Sequence, residues 1–234
     1  MRNFIFSLLV FFLCTLNTVQ EAPPKLTNLV QETSSLDFSS LYKKAHPLVC
    51  KILIPSKENP KIYETRGTGW LVLFNGKQKI ITAYHVIQGE KTIFVSFIEF
   101  DAGKELKVEV EKQSPEKDIA ILSSAKYPSG GFTLAKEILK VGQQVFLIGH
   151  PQGLSYVFGI GWISGTSDKG YIVQSAVFFG NSGGPVFNSK LELVGMVVGL
   201  RGQQVLGETV ALTSYGLIIS GDIIQTVLVG KRLD

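Results

Sequence analysis

The chain has 234 residues, of which 45% are hydrophobic and 18% are charged, so it is neither a disordered segment nor a highly charged tail. The net charge is only +4, and no run of basic residues is longer than a pair, which argues against nucleic-acid binding. The length fits one large domain or two small coupled ones, at about 100–200 residues per domain. The 24 glycines are typical of an all-β protein with many turns and bulges.

Residues 1–20 have the pattern of a signal peptide. Arg2 precedes an apolar run from Phe4 to Leu16, which is shorter than the ~20 residues that span a bilayer. The cleavage site after this run is poorly marked, so an uncleaved anchor is the alternative. Residues 21–35 are polar, contain a Pro pair and are predicted to be a linker. The protein is therefore expected to be exported and to be periplasmic or secreted.

The remainder, residues 36–234, is predicted to be one folded domain dominated by short strands. A short helix precedes His46-Pro47, and an apolar helix follows Ser220 and ends at Gly230. Between them lie twelve short runs rich in Val, Ile, Phe and Tyr, in two groups of six: 48–55, 66–74, 78–84, 92–100, 106–111 and 118–122, then 144–149, 155–163, 169–176, 184–188, 193–200 and 208–219. Two groups of this kind predict two packed β-barrels or sandwiches.

Three residues in the order His, Asp, Ser are candidates for catalysis. His85 ends a strand-like run, Asp118 opens another, and Ser182 lies in the hexapeptide Gly180–Pro185. Each feature alone is weak, because a strand-end His, a turn Asp and a glycine-rich turn are common in any protein. Their order, spread over both halves of the chain, is a strong signal for a Ser-His-Asp triad.

This arrangement has a chemical reason. A serine hydroxyl is a poor nucleophile at neutral pH and needs a base within hydrogen-bond reach. An imidazole can take the proton and return it to the leaving amine, while a carboxylate orients the ring and stabilises the imidazolium. If the backbone N–H groups of Gly180 and Ser182 converge on one point, they form an oxyanion hole.

The motifs Gly67–Trp70, Ile81–Ile87, Asp118–Leu122 and Gly180–Pro185 resemble those of the trypsin-like serine proteases. More narrowly, the chain is similar over about residues 36–230 to the protease domain of the HtrA (Deg) family, and no PDZ domain is expected. The resemblance implies an all-β fold of two six-stranded antiparallel barrels, with a short N-terminal and a C-terminal helix. The first barrel would span about 48–122 and the second about 144–219.

On the same resemblance, His85 is the general base, Asp118 its orienting acid and Ser182 the nucleophile, with Gly180 and Ser182 forming the oxyanion hole. The sequence departs from the family beside the serine, where Phe178-Phe179 replaces the usual Asn-Pro. These two aromatics either flank the cleft or pack between the barrels.

Other positions bear on activation and on specificity. Asn181 stands where trypsin-type zymogens carry the Asp that pairs with a new amino terminus, so activation by an internal cut is not expected. The predicted pocket for the P1 residue is apolar, which favours a small or medium apolar residue there; its residues are Ala176, Val177, Val197 and Val198. His150 is interpreted as a turn residue, and Cys50 as a small buried hydrophobe.

The sequence thus predicts a serine endopeptidase that cleaves unfolded or extended protein or peptide substrates through an acyl-enzyme on Ser182. No metal, cofactor or nucleic acid is expected, and a monomer and a homotrimer both remain open. Two alternatives are a catalytically silent chymotrypsin-fold binding or chaperone-like module, and an esterase.

Overall fold

The computed structural model describes residues 36–99, 104–135, 138–168, 170–205 and 208–230. The predicted signal peptide at 1–20 and linker at 21–35 lie outside these residues. Within the described ranges, every helix is too short or too polar to cross a membrane.

The folded domain begins with helix α1, Phe38–Ala45. Its first turn is capped by the Asp37 carboxylate, which accepts a hydrogen bond of 3.0 Å from the backbone N–H of Ser40. The α-helix gives way to a 3₁₀ turn at His46–Leu48, because Pro47 has no backbone N–H with which to continue the helical hydrogen bonds.

Six strands then form the first closed barrel, in the order β1-β2-β3-β6-β5-β4 with antiparallel neighbours. Their interior is filled by large apolar side chains such as Ile52, Ile80 and Leu122, which are fully buried. A short helix, α2, connects the third and fourth strands, and a 3₁₀ turn at Pro115–Lys117 precedes the sixth. The elements are β1 Val49–Pro55, β2 Tyr63–Phe74, β3 Lys77–Thr82, α2 Tyr84–Ile87, β4 Ile93–Phe97, β5 Leu106–Ser114 and β6 Ile119–Ser124.

The second barrel closes in the order β10-β11-β12-β9-β8-β7, again antiparallel. Buried Val145, Leu147 and Val173 belong to its core. A 3₁₀ turn at Pro151–Gly153 follows the first of its strands. The elements are β7 Gln144–Gly149, β8 Val157–Ser167, β9 Gly170–Gln174, β10 Pro185–Phe187, β11 Leu193–Val205, β12 Glu208–Ser220 and α3 Gly221–Val229.

The segment that links the barrels packs against both of them. Phe132 pairs as an isolated bridge with Val72 of the first barrel, and Leu134 pairs in the same way with Leu193 of the second. The Phe132 ring lies 4.6 Å from the ring of Phe187, centroid to centroid. These contacts hold the barrels against each other along an apolar seam.

The predicted fold is confirmed: the domain is all-β, with two six-stranded antiparallel barrels and a short helix before and after them. The strands run over 49–124 in the first barrel and 144–220 in the second, against about 48–122 and 144–219 from the sequence. Cys50 is fully buried in the first barrel among apolar side chains.

Candidate active site

His85 lies in helix α2, and the 3₁₀ turn before β6 places Asp118 beside His85. One Asp118 carboxylate oxygen, Oδ2, lies 2.7 Å from His85 Nδ1, and Oδ1 accepts a hydrogen bond of 2.9 Å from the His85 backbone N–H. The Asp118 carbonyl oxygen accepts a third bond from the N–H of Tyr84. A carboxylate only accepts, so Nδ1 carries the ring proton and Nε2 of the neutral ring is the free base.

Asp118 holds an uncommon backbone shape. Its φ of +53° is in the left-handed region, which non-glycine residues rarely adopt and which Asp tolerates better than most. This residue ends the turn that starts at Pro115, and its N–H donates to the Pro115 carbonyl. The turn therefore aims the carboxylate at α2 rather than along strand β6.

Ser182 lies in a loop between β9 and β10, here called the serine loop (residues 178–184). The carbonyls of four consecutive residues in this loop each accept a hydrogen bond. Phe179 accepts from the Gln152 N–H at 2.7 Å, Gly180 from the Thr68 hydroxyl at 2.7 Å, Asn181 from the Gly184 N–H at 2.8 Å, and Ser182 from the Thr68 N–H at 2.8 Å.

Some N–H groups of the serine loop are hydrogen-bonded within the protein and others are open. Asn181 donates to the Phe178 carbonyl and Gly183 donates to the Val197 carbonyl. Across the described residues, nothing accepts from the N–H groups of Gly180 and Ser182. The peptide bonds are trans, so each of these two N–H groups points away from the anchored carbonyl before it.

Two glycines make this loop shape possible. Gly180 has φ +98°, and a Cβ there would collide with the His150 carbonyl oxygen. Gly183 has φ +83°, and a Cβ there would collide with the carbonyl oxygen and the hydroxyl of two buried threonines, Thr68 and Thr82. Any other residue at either position is therefore both conformationally strained and sterically blocked.

The serine loop and the helix that carries His85 meet at one residue of β2. A Cβ on Gly67 would lie 2.8 Å from the Ser182 carbonyl oxygen and 2.7 Å from a methyl carbon of Val86, the residue after His85. The structure therefore brings the loop from the second barrel and the helix from the first against the same strand.

A buried network stands behind the serine loop, and the sequence analysis missed it. His150 is fully buried, and its backbone N–H donates to the Thr68 hydroxyl oxygen at 3.1 Å. Its ring Nδ1 lies 3.2 Å from the same oxygen. Burial, with a smaller contribution from the charge of Lys51, lowers the pKa of His150 to about 3, so the ring is neutral at pH 7.

The four residues predicted to form the P1 pocket do not come together in one cavity. Val177 and Val197 are buried in the core of the second barrel, while Ala176 is exposed. Val198 is half-buried and lines a cavity of about 270 Å³ that also borders Asp118, Asp168 and the apolar side chain of Leu217.

Phe178 and Phe179 are 37% and 76% exposed, respectively. Of the two placements left open by the sequence, packing between the barrels does not fit this exposure. The other placement, at the edge of the serine loop beside Gly180, is compatible with this exposure. Among the residues that the structure describes, no cluster of three His, Cys, Asp or Glu side chains could hold a metal ion.

Fold and site together define a class of protein. The chain belongs to the family described as "Trypsin-like peptidase domain", whose sequence profile matches residues 67–196, more than half of the chain. This match includes His85, Asp118 and Ser182, and the predicted resemblance to trypsin-like proteases is confirmed.

The narrower resemblance to HtrA proteins is supported by curated relatives. The chain is 31% identical over 203 residues to a "Probable periplasmic serine endoprotease DegP-like" of Halomonas elongata, covering 76% of this chain and 42% of the relative. It is 30% identical over 198 residues to "Serine protease Do-like HtrA" of Lactobacillus helveticus, covering 77% and 46%. The chain thus spans less than half the length of these two relatives.

Solved structures agree on the fold. The active form of the Rv3671c protease from M. tuberculosis superposes with a TM-score of 0.65 at 20% identity, covering 92% of this chain and 93% of that one. A serine endoprotease from Yersinia pestis gives a TM-score of 0.64 at 21% identity, covering 82% and 65%.

Proposed function

We propose that the protein is a serine endopeptidase that hydrolyses peptide bonds through an acyl-enzyme on Ser182. His85 is the general base, Asp118 orients it, and the N–H groups of Gly180 and Ser182 stabilise the oxyanion. The names of the relatives, one a probable serine endoprotease and the other a serine protease, support this assignment.

In the proposed reaction, the Ser182 hydroxyl oxygen attacks the carbonyl carbon of the substrate while His85 Nε2 takes the hydroxyl proton. The tetrahedral intermediate collapses as the C–N bond breaks, and the imidazolium gives its proton to the leaving amine. Water then attacks the acyl-enzyme by the same route, releasing the acid and restoring the Ser182 hydroxyl. Throughout, the Asp118 carboxylate accepts the hydrogen bond from His85 Nδ1 and so keeps the ring in place.

One observation favours a peptidase over a catalytically silent protein of the same fold. The serine loop leaves the N–H groups of Gly180 and Ser182 without partners while fixing every carbonyl from Phe179 to Ser182. Gly180 and Ser182 are both partly exposed, so their two open donors lie where a substrate oxygen can reach them, which is what an oxyanion hole needs. A silent binding module does not require this alternation.

The finer parts of the proposal concern substrate and location. We expect unfolded or extended segments as substrates, because a chain must be extended to lie across a cleft between two barrels. Ala176, six residues before Ser182, is uncharged and exposed, so we expect Val, Ala or Leu at P1 rather than Arg or Lys. The periplasmic relative and the apolar N-terminal run support an exported, periplasmic or secreted protein.

A fluorophosphonate probe tests the proposal directly. The purified protein should be labelled covalently at Ser182, and Ser182→Ala should abolish the labelling while leaving the melting temperature within a few degrees. Absence of labelling in a folded sample would contradict the proposal and favour the binding-module alternative.

Substrate profiling separates the peptidase from the esterase. Denatured casein should be degraded, and a peptide library should show cleavage after small or medium apolar residues. An esterase would react with the probe and leave casein intact. Efficient cleavage after Arg or Lys would contradict the proposed P1 preference without affecting the proposed class.

A further inference from the structure

The Thr68 hydroxyl binds the serine loop from the opposite barrel. Thr68 is fully buried in β2, and its hydroxyl donates to the Gly180 carbonyl at 2.7 Å. Its backbone N–H donates to the Ser182 carbonyl at 2.8 Å, so this one residue holds the loop on both sides of Asn181. Thr68 is itself fixed, because its own carbonyl accepts a hydrogen bond of 2.7 Å from the hydroxyl of Thr82.

His150 determines where the Thr68 hydroxyl hydrogen points. A hydroxyl has one hydrogen and two lone pairs. The His150 backbone N–H occupies one lone pair at 3.1 Å, and ring Nδ1 lies 3.2 Å from the same oxygen. The only hydrogen of this hydroxyl is already given to Gly180, so Nδ1 must be the donor and the ring carries its proton there.

The other ring nitrogen agrees with this assignment. Nε2 of His150 is buried and has no hydrogen-bond partner among the described residues. In the Nδ1–H form it is an unprotonated acceptor, so no N–H group is left buried without a partner. Both lone pairs of the Thr68 hydroxyl are then occupied by His150, and its hydrogen is directed to Gly180.

The segment after His150 holds the neighbouring peptide. The Gln152 N–H binds the Phe179 carbonyl at 2.7 Å, which turns the Gly180 N–H in the opposite direction. The peptide planes on both sides of Gly180 are therefore fixed, one by Gln152 and one by the Thr68 hydroxyl. Losing the Thr68 hydroxyl would leave the Gly180 carbonyl free to rotate. The serine loop, which orients the N–H groups of Gly180 and Ser182, would then no longer be held in one shape.

We infer that Thr68 and His150 are positioning residues that hold the serine loop in its oxyanion-binding shape. The inference rests on the proposed function, since the loop needs this shape only if it stabilises an oxyanion. Neither residue touches the substrate; Thr68 acts through Gly180, and His150 acts through Thr68.

Thr68→Val removes the hydroxyl and keeps the shape of the side chain. We expect kcat to fall about 10- to 100-fold, less than for outright loss of an oxyanion donor, with KM within about twofold. Affinity for a peptidyl boronic acid, which forms a tetrahedral adduct, should fall in parallel with kcat/KM. Thr68→Ser restores the hydroxyl and should recover most of both.

Thr226→Val is the matched control. The Thr226 hydroxyl also donates to a carbonyl at 2.7 Å, that of Ile223, but it does so within helix α3. It also accepts from Lys117 Nζ at 3.3 Å and is part-buried, so its loss should destabilise the fold less than Thr68→Val and leave kcat and boronic acid affinity unchanged. Equal kcat in Thr68→Val and Thr226→Val, both folded, would overturn the inference.

A second pair of variants serves if Thr68→Val does not fold. His150→Leu removes the ring donor, whereas His150→Asn offers an amide N–H near the position of Nδ1. Lower kcat in His150→Leu than in His150→Asn supports the inference, and equal kcat overturns it.

If wild type is not labelled by the fluorophosphonate, the proposed function fails; if wild type and all variants are labelled at one rate, only the positioning role fails.

Discussion

Both carboxylate oxygens of Asp118 bind His85, one at ring Nδ1 at 2.7 Å and the other at the backbone N–H at 2.9 Å. The second bond decides what an amide would do at position 118. An Asn side chain must place its oxygen on the His85 backbone N–H, because an amide NH₂ group cannot accept there. Its NH₂ group then faces Nδ1 and forces the ring proton onto Nε2.

Asp118→Asn is therefore expected to leave the fold intact and to remove the base from the reacting side of the ring. We expect kcat to fall about 10³- to 10⁴-fold, as a wrong tautomer does in Ser-His-Asp triads. Asp168→Asn is the control, because Asp168 lines the same cavity as Asp118. Steady-state kinetics on a peptide substrate measure kcat for both variants. A comparable fall in kcat in the two variants would contradict the role of Asp118.

Gly180→Ala tests the shape of the serine loop. A Cβ there meets the His150 carbonyl oxygen, so the loop must move and carry its N–H groups with it. We expect the rate of fluorophosphonate labelling to fall about 100-fold or more. Gly76→Ala is the control, since Gly76 has a similar backbone at φ +73° with open space around it. It should cost about 1–2 kcal/mol of stability and leave labelling unchanged, whereas equal labelling in both variants would refute the prediction.

The buried His150 should make the protein sensitive to acid. Its pKa is lowered to about 3 in the folded state, so between pH 6.5 and 3 the unfolded chain binds a proton that the folded protein excludes. The contribution of His150 to the free energy of unfolding is therefore fully present above pH 6.5 and is lost as the pH falls. At pH 4 the loss from this residue is about 3 kcal/mol. His150→Asn should lose correspondingly less than wild type between pH 7 and pH 4 in urea unfolding. An identical loss in both proteins would show that His150 does not titrate in this way.

Cys50 should be inert in the folded protein. Burial raises the pKa of its thiol well above the ordinary range, and the thiolate is the reactive form. Iodoacetamide at pH 8, followed by peptide mass mapping, should leave Cys50 unmodified until urea unfolds the chain. Rapid modification without urea would mean that the first barrel opens readily around β1.

The fold was predictable because its signals are local. Short runs rich in Val, Ile and Phe, such as that of β4, Ile93–Phe97, indicate strands, and the break before Gln144 separates the barrels. The His85, Asp118 and Ser182 motifs were readable for the same reason. Each occupies a short stretch whose residue types are rare in combination.

The support of the site was not predictable, because it depends on contacts between distant residues. His150 was interpreted as a turn residue, and Thr68, its partner, lies 82 residues away. The left-handed backbone of Asp118 likewise follows from the turn that it ends rather than from its own preference. Val177 was predicted to line a pocket, and only the closed barrel shows that its side chain belongs to the core.

The hydrogen bonds from Thr68 to the serine loop run from one barrel to the other. The first barrel holds His85 and Asp118, while the second contributes Ser182 and the two open N–H groups, so neither barrel alone combines base, nucleophile and oxyanion donors. On the proposed function, a chain whose barrels are not yet docked cannot cut a neighbouring chain. The ability to cut then belongs to the docked pair of barrels and to neither of them alone.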